Sequence, residues 1–231
     1  MKYKVVSLST VLNKTLFELD DPKRKESLDA SVYSYLSSCD YPWELIGESL
    51  KNFILKKIID KKDRKILSPI PTLCHLENKE EIIIEENVHI EAGAYITGPS
   101  YISKGSTVRH GAYIRGEVFV SENCVIGHST ECKNSLFLPN SHAAHFNYVG
   151  NSVLGFETNL GAGTKLANLK FKRDSIKYLF EEKKIDTHVR KLGAILGNRS
   201  QTGCNAVTNP GTILLNDSFI MGNQTASGVI S

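Results

Sequence analysis

The sequence predicts a mainly β protein whose larger part is a parallel β-helix. Aliphatic residues recur every six positions from Ile84 onward, and a second column of small or medium residues lies two positions before each of them. Before about residues 66–80 the apolar spacing is helical instead. We therefore place a helical N-terminal cap and linker at 1–80 and the β-helix at 81–231.

The first region carries three segments with helical spacing, at 10–19, 27–36 and 42–59. The first follows the candidate N-cap Ser9, and the third begins with a proline, which suits the first position of a helix. Their apolar stripe is expected to be a packing face. The charged run 56–65 is expected to face solvent, and the prolines that follow it make an extended linker.

Three hexads of the repeat make one coil of eighteen residues, whose strands stack about 4.8 Å apart on the strands of the next coil. The inward positions are predicted at Ile84, Ile90, Ile96, Ile102, Val108, Ile114, Val120, Ile126, Cys132, Leu138 and Ala144, and then at Tyr148, Leu154, Leu160 and Leu166. One step, after Ala144, thus has four residues, and this slip falls on His145. The lysine-rich insertion 170–191 is too polar for a coil and is expected to project as a loop or short helix before the repeat resumes at Leu196.

Composition excludes several classes of function. There is no long uncharged apolar run and no signal-peptide pattern, so neither a membrane partner nor export is expected and the cytoplasm is the predicted location. The five cysteines are far apart and show no metal-ligand spacing, which predicts reduced thiols. A net charge of +3 with few clustered aromatics gives no support for a nucleic-acid partner.

Two cations are predicted to stack at one corner of the solenoid. Arg115 and Lys133 each follow an inward residue and are eighteen residues apart, so they occupy equivalent places in successive coils. Two stacked cations repel unless something negative lies between them. The functional interpretation is a phosphate clamp, with the arginine as a fork and the lysine as a point charge. The alternative is a solvated edge with Glu117 or Glu131 as counter-ions.

His145 is the candidate general base, because an imidazole titrates near neutral pH and the slip would aim it out of the coil. A structural, hydrogen-bonded histidine is the alternative. A metal site must also be considered, since His110 and His128 are one coil apart and His142 precedes His145 by three residues. We expect no metal, because the pair would lie on a different part of the corner from His145.

The segment from Arg115 to Asn168 resembles the C-terminal acetyltransferase domain of the bifunctional enzyme that makes UDP-N-acetylglucosamine. The resemblance rests on these residues in matching register and on the local patterns GHSTECKN, HFNYVG and NLGAGTKLAN. It implies a left-handed β-helix of hexapeptide repeats, a homotrimer with each site between neighbouring copies, and N-acetylation of a glucosamine-1-phosphate-like acceptor with acetyl-CoA as co-substrate. By this resemblance Arg115, Lys133 and Tyr148 hold the sugar phosphate, and Asn159 holds the sugar.

The resemblance also assigns the reacting centre. His145 would take the proton from the attacking amine, supported by Glu131, with Asn168 near the reacting atoms. Ala162 and Cys204 would line the acetyl-CoA groove. Since a thiolate leaves easily, no covalent nucleophile is required.

The resemblance has limits that keep other functions open. The Gly-rich, lysine-containing signature of the family's nucleotide-binding domain does not occur, so uridylyl transfer is not implied. The chain leaves the family pattern at Leu169 and Lys170, and Cys204 replaces a serine. The first alternative is a non-catalytic protein that binds or senses a sugar phosphate or nucleotide sugar. The second is a metal-dependent, hydratase-like trimer.

Overall fold

The computed structural model describes residues 7–61 and 65–231, so part of the charged run 56–65 lies outside the described residues. Within these ranges the chain is mainly β, and three parallel sheets form the three faces of a solenoid. The solenoid follows a layer of short helices. The predicted fold is therefore confirmed.

We name the sheets A, B and C. Sheet A contains Ile82–Ile84, Ser100–Ile102, Val118–Val120, Ser135–Phe137, Val153–Leu154, Ala194–Leu196, Thr212–Leu214 and Val229–Ile230. Sheet B contains His75–Glu77, Tyr95–Thr97, Tyr113–Ile114, Glu131–Lys133, Tyr148–Gly150, Lys165–Leu166, Val207–Thr208 and Thr225–Ala226. Sheet C contains His89–Ile90, Thr107–Val108, Val125–His128, His142–His145, Asn159–Leu160, Gln201–Thr202 and Phe219–Ile220.

The inward column agrees with the prediction through Cys132 and again from Leu154 to Leu166. Between them the prediction is wrong. Phe137, not Leu138, pairs with Val120 and Leu154, and the next inward residues are Ala143 and Val149 rather than Ala144 and Tyr148.

The four-residue step predicted after Ala144 therefore does not exist. Two corners instead lose one residue each, from Cys132 to Phe137 and from Val149 to Leu154. Both shortened corners join sheet B to sheet A. His145 lies within the regular six-residue step from Ala143 to Val149. Its side chain is therefore not oriented by a change in the repeat.

The helices differ in detail from the predicted segments. The described ones are the 3₁₀ turns Leu8–Val11, Pro42–Leu45 and Lys79–Glu81, and the α-helices Asn13–Leu16 (α1), Pro22–Ser27 (α2), Ala30–Leu36 (α3) and Glu48–Asp60 (α4). The segment 10–19 is broken because Leu12 is extended. The segment 42–59 is broken at Gly47, whose φ of 71° no helix accommodates. None of these helices, over the ranges described, has the length and apolar character to span a bilayer.

The helical layer lies along the side of the solenoid, on the outer face of sheet A. The outer face of this sheet is a column of buried apolar residues that share one cluster with the helices: Ile83, Tyr101, Phe119, Leu136, Val153, Ile195 and Ile213. Phe53 of α4 meets Phe119 with ring centroids 5.2 Å apart. The described helices thus cover the outer face of sheet A and not the outer faces of sheets B and C.

The insertion begins after Lys165–Leu166 of sheet B and ends before Ala194–Leu196 of sheet A. It forms an antiparallel hairpin of Lys177–Phe180 and Lys183–Asp186, not a loop or short helix. Alternate side chains of its first strand are buried, and the Tyr178 ring stacks on Trp43 of the helical layer at 5.1 Å. The prediction missed the hairpin because its apolar residues face the helices and not the coil.

Candidate functional site

Arg115 and Lys133 lie one above the other at the corner between sheets B and A, as their spacing predicts. Their strands pair in register, with Cys132 opposite Ile114, and the Arg115 N–H donates to the Cys132 carbonyl at 2.9 Å. The equivalent place in the next coil is Gly150. We call this stretch the anion corner.

The two cations of the anion corner have different electrostatic surroundings. Arg115 Nη1 lies 2.6 Å from Glu131 Oε1, so the predicted counter-ion is present for the arginine. Glu117 instead accepts a hydrogen bond from Asn134 at 2.7 Å. Among the ion pairs of residues 7–61 and 65–231, none involves Lys133.

The half-buried Lys133 ammonium lies in an unfavourable environment. Burial lowers the pKa of Lys133, and the charges of Lys191 and Arg115 lower it further, against a smaller opposing effect of Glu131 and Glu117. Lys191 comes from the end of the insertion, and nothing in the hexad spacing of the sequence marks it. A bound anion would relieve the strain among these cations.

Tyr148 and Asn168 meet above Gly150. A Cβ at Gly150 would lie 2.6 Å from the Tyr148 hydroxyl oxygen and 2.8 Å from Asn168 Nδ2, so the glycine makes room for both groups. Burial raises the pKa of the Tyr148 hydroxyl, with the Glu131 charge as a second cause. Tyr148 is therefore a protonated hydroxyl beside the anion corner, able to donate to a ligand.

Asn168 also ends a ladder of asparagine side chains that runs down the corner. Asn168 Nδ2 donates to Asn151 Oδ1 at 2.7 Å, and Asn151 Nδ2 donates to Asn134 Oδ1 at 3.1 Å. The Gly47 N–H of the helical layer donates to Asn134 Oδ1 at 2.8 Å. The seventeen-residue spacing of these asparagines is a signal that the hexad analysis missed.

His145 lies at the other end of sheet B, at the corner with sheet C. It pairs in register with His128, and the imidazoles of His128 and His110 stack at 5.7 Å. The expectation that His110 and His128 lie elsewhere on the corner is therefore wrong, because His145 also stands two residues past its inward residue, Ala143. Nevertheless, in the ranges described, no three His, Cys, Asp or Glu side chains form a group that could hold a metal.

His110, His128 and His145 form a column along this corner, which we call the histidine column. Its hydrogen bonds distinguish His145 from the other two. His110 Nδ1 donates to the Ala92 carbonyl at 2.6 Å and His128 Nδ1 to the His110 carbonyl at 3.0 Å, which fixes their tautomers. The His128 carbonyl, which has the equivalent place for His145, accepts from the Phe146 N–H at 2.7 Å but not from the His145 ring. The exposed His145 imidazole has no hydrogen bond within the described part of the chain, so neither of its ring nitrogens is engaged there.

Ala162 and Cys204 continue the histidine column. Leu160 pairs with Ala143 and with Thr202, and Ala162 and Cys204 each follow their inward residue by two positions, as His145 does. Two small side chains thus follow His145 up this corner, where the resemblance places acetyl-CoA.

The remaining predicted residues are distributed differently. Glu131 hydrogen-bonds to Arg115 and not to His145. Asn159 is exposed on sheet C, opposite His142, and does not share a face with Lys133. A cavity of about 140 Å³ lies between the helical layer and sheet A and contains none of these residues. One chain thus brings together Arg115, Lys133, Tyr148 and Asn168, and separately His145, Ala162 and Cys204.

The coils and their repeat define the class: the chain is a left-handed parallel β-helix of hexapeptide repeats. The family described as the GMPPB C-terminal domain matches residues 96–178. A bifunctional sugar-1-phosphate nucleotidylyltransferase/acetyltransferase from Sulfurisphaera tokodaii is 41% identical over 133 residues, which are 58% of this chain and 33% of that protein. The bifunctional protein GlmU from Methanococcus maripaludis is 36% identical over 189 residues, which are 82% of this chain and 44% of that protein.

These findings confirm the resemblance to hexapeptide-repeat acyltransferases of the GlmU type. The chain spans less than half the length of these two curated relatives. A solved hexapeptide transferase family protein from Anaplasma phagocytophilum has 12% identity over 68% of this chain and 76% of that one, with a TM-score of 0.37. That likeness is too weak to carry an argument.

Proposed function

We propose that the chain is an N-acetyltransferase that transfers the acetyl group of acetyl-CoA to the amine of an aminosugar phosphate resembling glucosamine-1-phosphate. It would act in nucleotide-sugar supply, as a homotrimer in the cytoplasm. The observation that carries the proposal is that, among residues 7–61 and 65–231, Lys133 has no ion pair and the His145 imidazole has no hydrogen bond, and that the two lie at opposite corners of sheet B.

The anion corner would hold the phosphate. Lys133 has no carboxylate partner in the described residues, and Arg115 keeps other guanidinium N–H groups beyond the one that meets Glu131. Tyr148 adds a hydroxyl donor above Gly150. Charge-assisted hydrogen bonds of this kind are about twice as strong as neutral ones, so the phosphate would position the sugar.

His145 would act as the general base. The amine nitrogen of the sugar attacks the thioester carbonyl, a C–N bond forms, and the C–S bond breaks as the thiolate of CoA leaves. The amine proton passes to His145, which returns to the neutral state by releasing it, directly or through the departing thiolate. General bases of this type contribute about 10²- to 10⁴-fold to a rate.

A site between two copies would unite the residues that one copy separates. His145 ends its strand of sheet C and Gly150 ends the following strand of sheet B, so the two residues lie at opposite corners of sheet B. Asn159 lies on sheet C, in the coil after that of His145. A neighbouring solenoid packed against sheets B and C would place its own His145 or Asn159 opposite the anion corner, and a cyclic trimer repeats this interface three times.

A second candidate is a non-catalytic sugar-phosphate or nucleotide-sugar binding protein. The observation in its favour is the Arg115–Glu131 ion pair, which leaves His145 without the carboxylate support expected of it. Such a protein would bind the phosphate at the same corner without turnover.

The test is thiol release from acetyl-CoA in the presence of glucosamine-1-phosphate, together with ligand-induced thermal stabilisation. Wild type should release thiol, and His145→Ala should be slower by about 10²-fold or more. His110→Asn is the matched control, since it alters the same column two coils away and should retain the wild-type rate. Equal rates for wild type and His145→Ala would remove His145 as the base.

The measurement of ligand-induced thermal stabilisation distinguishes the acetyltransferase from the binding protein. An acetyltransferase should be stabilised by both acetyl-CoA and glucosamine-1-phosphate, because each binds the native state. Stabilisation by the sugar phosphate or by a UDP-sugar, with no thiol release and no effect of millimolar acetyl-CoA, would establish the binding protein instead.

A further inference from the structure

The inserted hairpin ends against the anion corner. Leu169, before the hairpin, forms an antiparallel bridge with Lys191, after it. The Leu192 N–H then donates to the Asn168 carbonyl at 3.0 Å, and Leu192 itself is fully buried. Lys191 thus lies on hydrogen-bonded backbone at the base of the hairpin, close to Asn168, and not at its charged tip.

Lys191 differs from three other lysines close to the base of the hairpin, whose ammonium groups already have partners. Those pairs are Lys165 with the Gly163 carbonyl at 2.6 Å, Lys170 with Asp174 at 3.0 Å and Lys177 with Asp186 at 3.4 Å. Within residues 7–61 and 65–231, no ion pair involves Lys191 or Lys133. Lys191 and Lys133 are therefore two ammonium groups without counter-ions in these ranges. They come from different parts of the chain, and Lys191 is near enough for its charge to act on Lys133.

The proximity of these like charges is unfavourable. Lys191 and Arg115 both act on Lys133 as like charges, and Lys133 is partly buried, so water screens the repulsion incompletely. A dianionic group bound between them would turn the repulsion into attraction. The hairpin would then serve the site as well as the contact with the helical layer.

We propose that Lys191, carried by the inserted hairpin, is a binding residue of the anion corner and contacts the phosphate of the acceptor together with Lys133 and Arg115. The identity of the ligand as a sugar phosphate rests on the proposed function. The inference concerns this chain's insertion and names a residue that the predicted site did not contain.

The experiment measures binding of glucosamine-1-phosphate by calorimetry to wild type, Lys191→Ala and Lys191→Arg. The alanine variant should bind about 10- to 100-fold more weakly, the loss expected for one charge-assisted hydrogen bond, and the arginine variant should bind close to wild type. Lys184→Ala is the matched control: it removes the same charge from the same hairpin, from an exposed position at the start of its second strand and close to the turn, and should bind normally.

A second readout depends on no ligand. The amine pKa of Lys133, measured by NMR on the ¹³C-dimethylated protein, should rise in Lys191→Gln and stay unchanged in Lys184→Gln. Equal binding by wild type and Lys191→Ala, or an equal loss in the Lys184→Ala control, would overturn the proposal, as would an unchanged Lys133 pKa.

The role of Lys191 and the proposed acetyltransferase activity can fail independently of each other. Weaker sugar-phosphate binding in Lys191→Ala, without acetyl transfer by wild type, would uphold Lys191 and reject the acetyltransferase. Acetyl transfer by wild type with unaltered binding in Lys191→Ala would support the acetyltransferase and reject the role of Lys191.

Discussion

Asn168 donates a hydrogen bond of 2.7 Å from its side-chain amide to that of Asn151, one coil below it. This bond ties the last residue of the regular coil before the insertion to the coil beneath. Because Asn151 in turn donates to Asn134, and Asn134 meets the backbone of Gly47, the ladder connects the anion corner to the helical layer.

Removal of the middle rung should loosen both ends of the ladder. Asn151→Ala leaves the Asn168 amide without its acceptor and should lower the free energy of unfolding by about 1–3 kcal/mol. Asn151 has a φ of 51°, where alanine is strained, so Asn151→Gly is the matched variant that removes the side chain without that strain. Denaturant unfolding of both variants measures the effect, and a wild-type midpoint for Asn151→Gly would show that the ladder contributes nothing.

Gly127 should tolerate no side chain. A Cβ there would lie 1.7 Å from the carbonyl oxygen of Ala144, in the coil above and one residue before His145. Gly127→Ala must force the two coils apart and should cost more than about 3 kcal/mol. Gly47→Ala is the comparison: its φ is 71° with ψ of −142° but no atom lies within 4 Å, so only backbone strain of about 1–3 kcal/mol is expected. Thermal unfolding that ranks Gly47→Ala as the more damaging change would contradict the close approach of the coils.

The spacing of the sequence was sufficient to predict the anion corner but not the corner of His145. Between Arg115 and Lys133 the hexads are unbroken, so counting by eighteen places the cations correctly. Beyond Lys133 one residue is missing from the turn. The apolar run Leu136, Phe137 and Leu138 offers three buried candidates for one inward position, and periodicity alone cannot select among them. The register of every residue up to Val149 depended on that choice.

Two signals in the sequence would have corrected the prediction. The asparagines at 134, 151 and 168 recur every seventeen residues, the length of a coil with one shortened corner. The apolar column of sheet A, which includes Ile83, Tyr101 and Phe119, identifies the face that another layer covers. No such signal exists for Lys191, because its place depends on how the hairpin docks on the helices, which is a matter of tertiary contacts.

The contact between the helical layer and the solenoid should weaken in acid. Glu18 accepts two hydrogen bonds from Arg199 at 2.7 and 2.8 Å, and these, with Asn198 and the charges of Arg199 and Arg24, hold the pKa of Glu18 at about 2 despite partial burial. The usual value is 4.5, so the stabilisation is complete above pH 4.5 and is lost as the pH falls toward 2.

Glu18→Gln should therefore reduce stability at neutral pH and make little difference near pH 2. Because the pair is partly exposed, we expect about 1 kcal/mol, not the larger value that the pKa shift alone would suggest. Denaturant unfolding of both proteins between pH 2 and pH 7 checks this. A difference between them that is constant across the range would mean that the charge of Glu18 is not responsible.

The stacking of Tyr178 on Trp43 should hold the inserted hairpin on the helical layer. Trp43 is the only tryptophan of the chain, and its ring lies 5.1 Å from that of Tyr178, whose hydroxyl donates to the Gly211 carbonyl at 2.9 Å. Tyr178→Ala removes the stack and leaves a cavity, which should cost about 3–5 kcal/mol, as for other large aromatic deletions. Tyr178→Phe removes only the hydrogen bond and should cost about 1 kcal/mol.

Fluorescence and hydrogen exchange distinguish these two variants. In Tyr178→Ala one face of the Trp43 ring gains access to water, so its emission should shift to longer wavelength, and amides of Lys177–Phe180 should exchange faster than in wild type. Tyr178→Phe should leave the emission unchanged. Because Lys191 lies at the base of the same hairpin, Tyr178→Ala should also weaken glucosamine-1-phosphate binding. Wild-type exchange in Tyr178→Ala would show that the hairpin is held by its base alone, through Leu169 and Leu192.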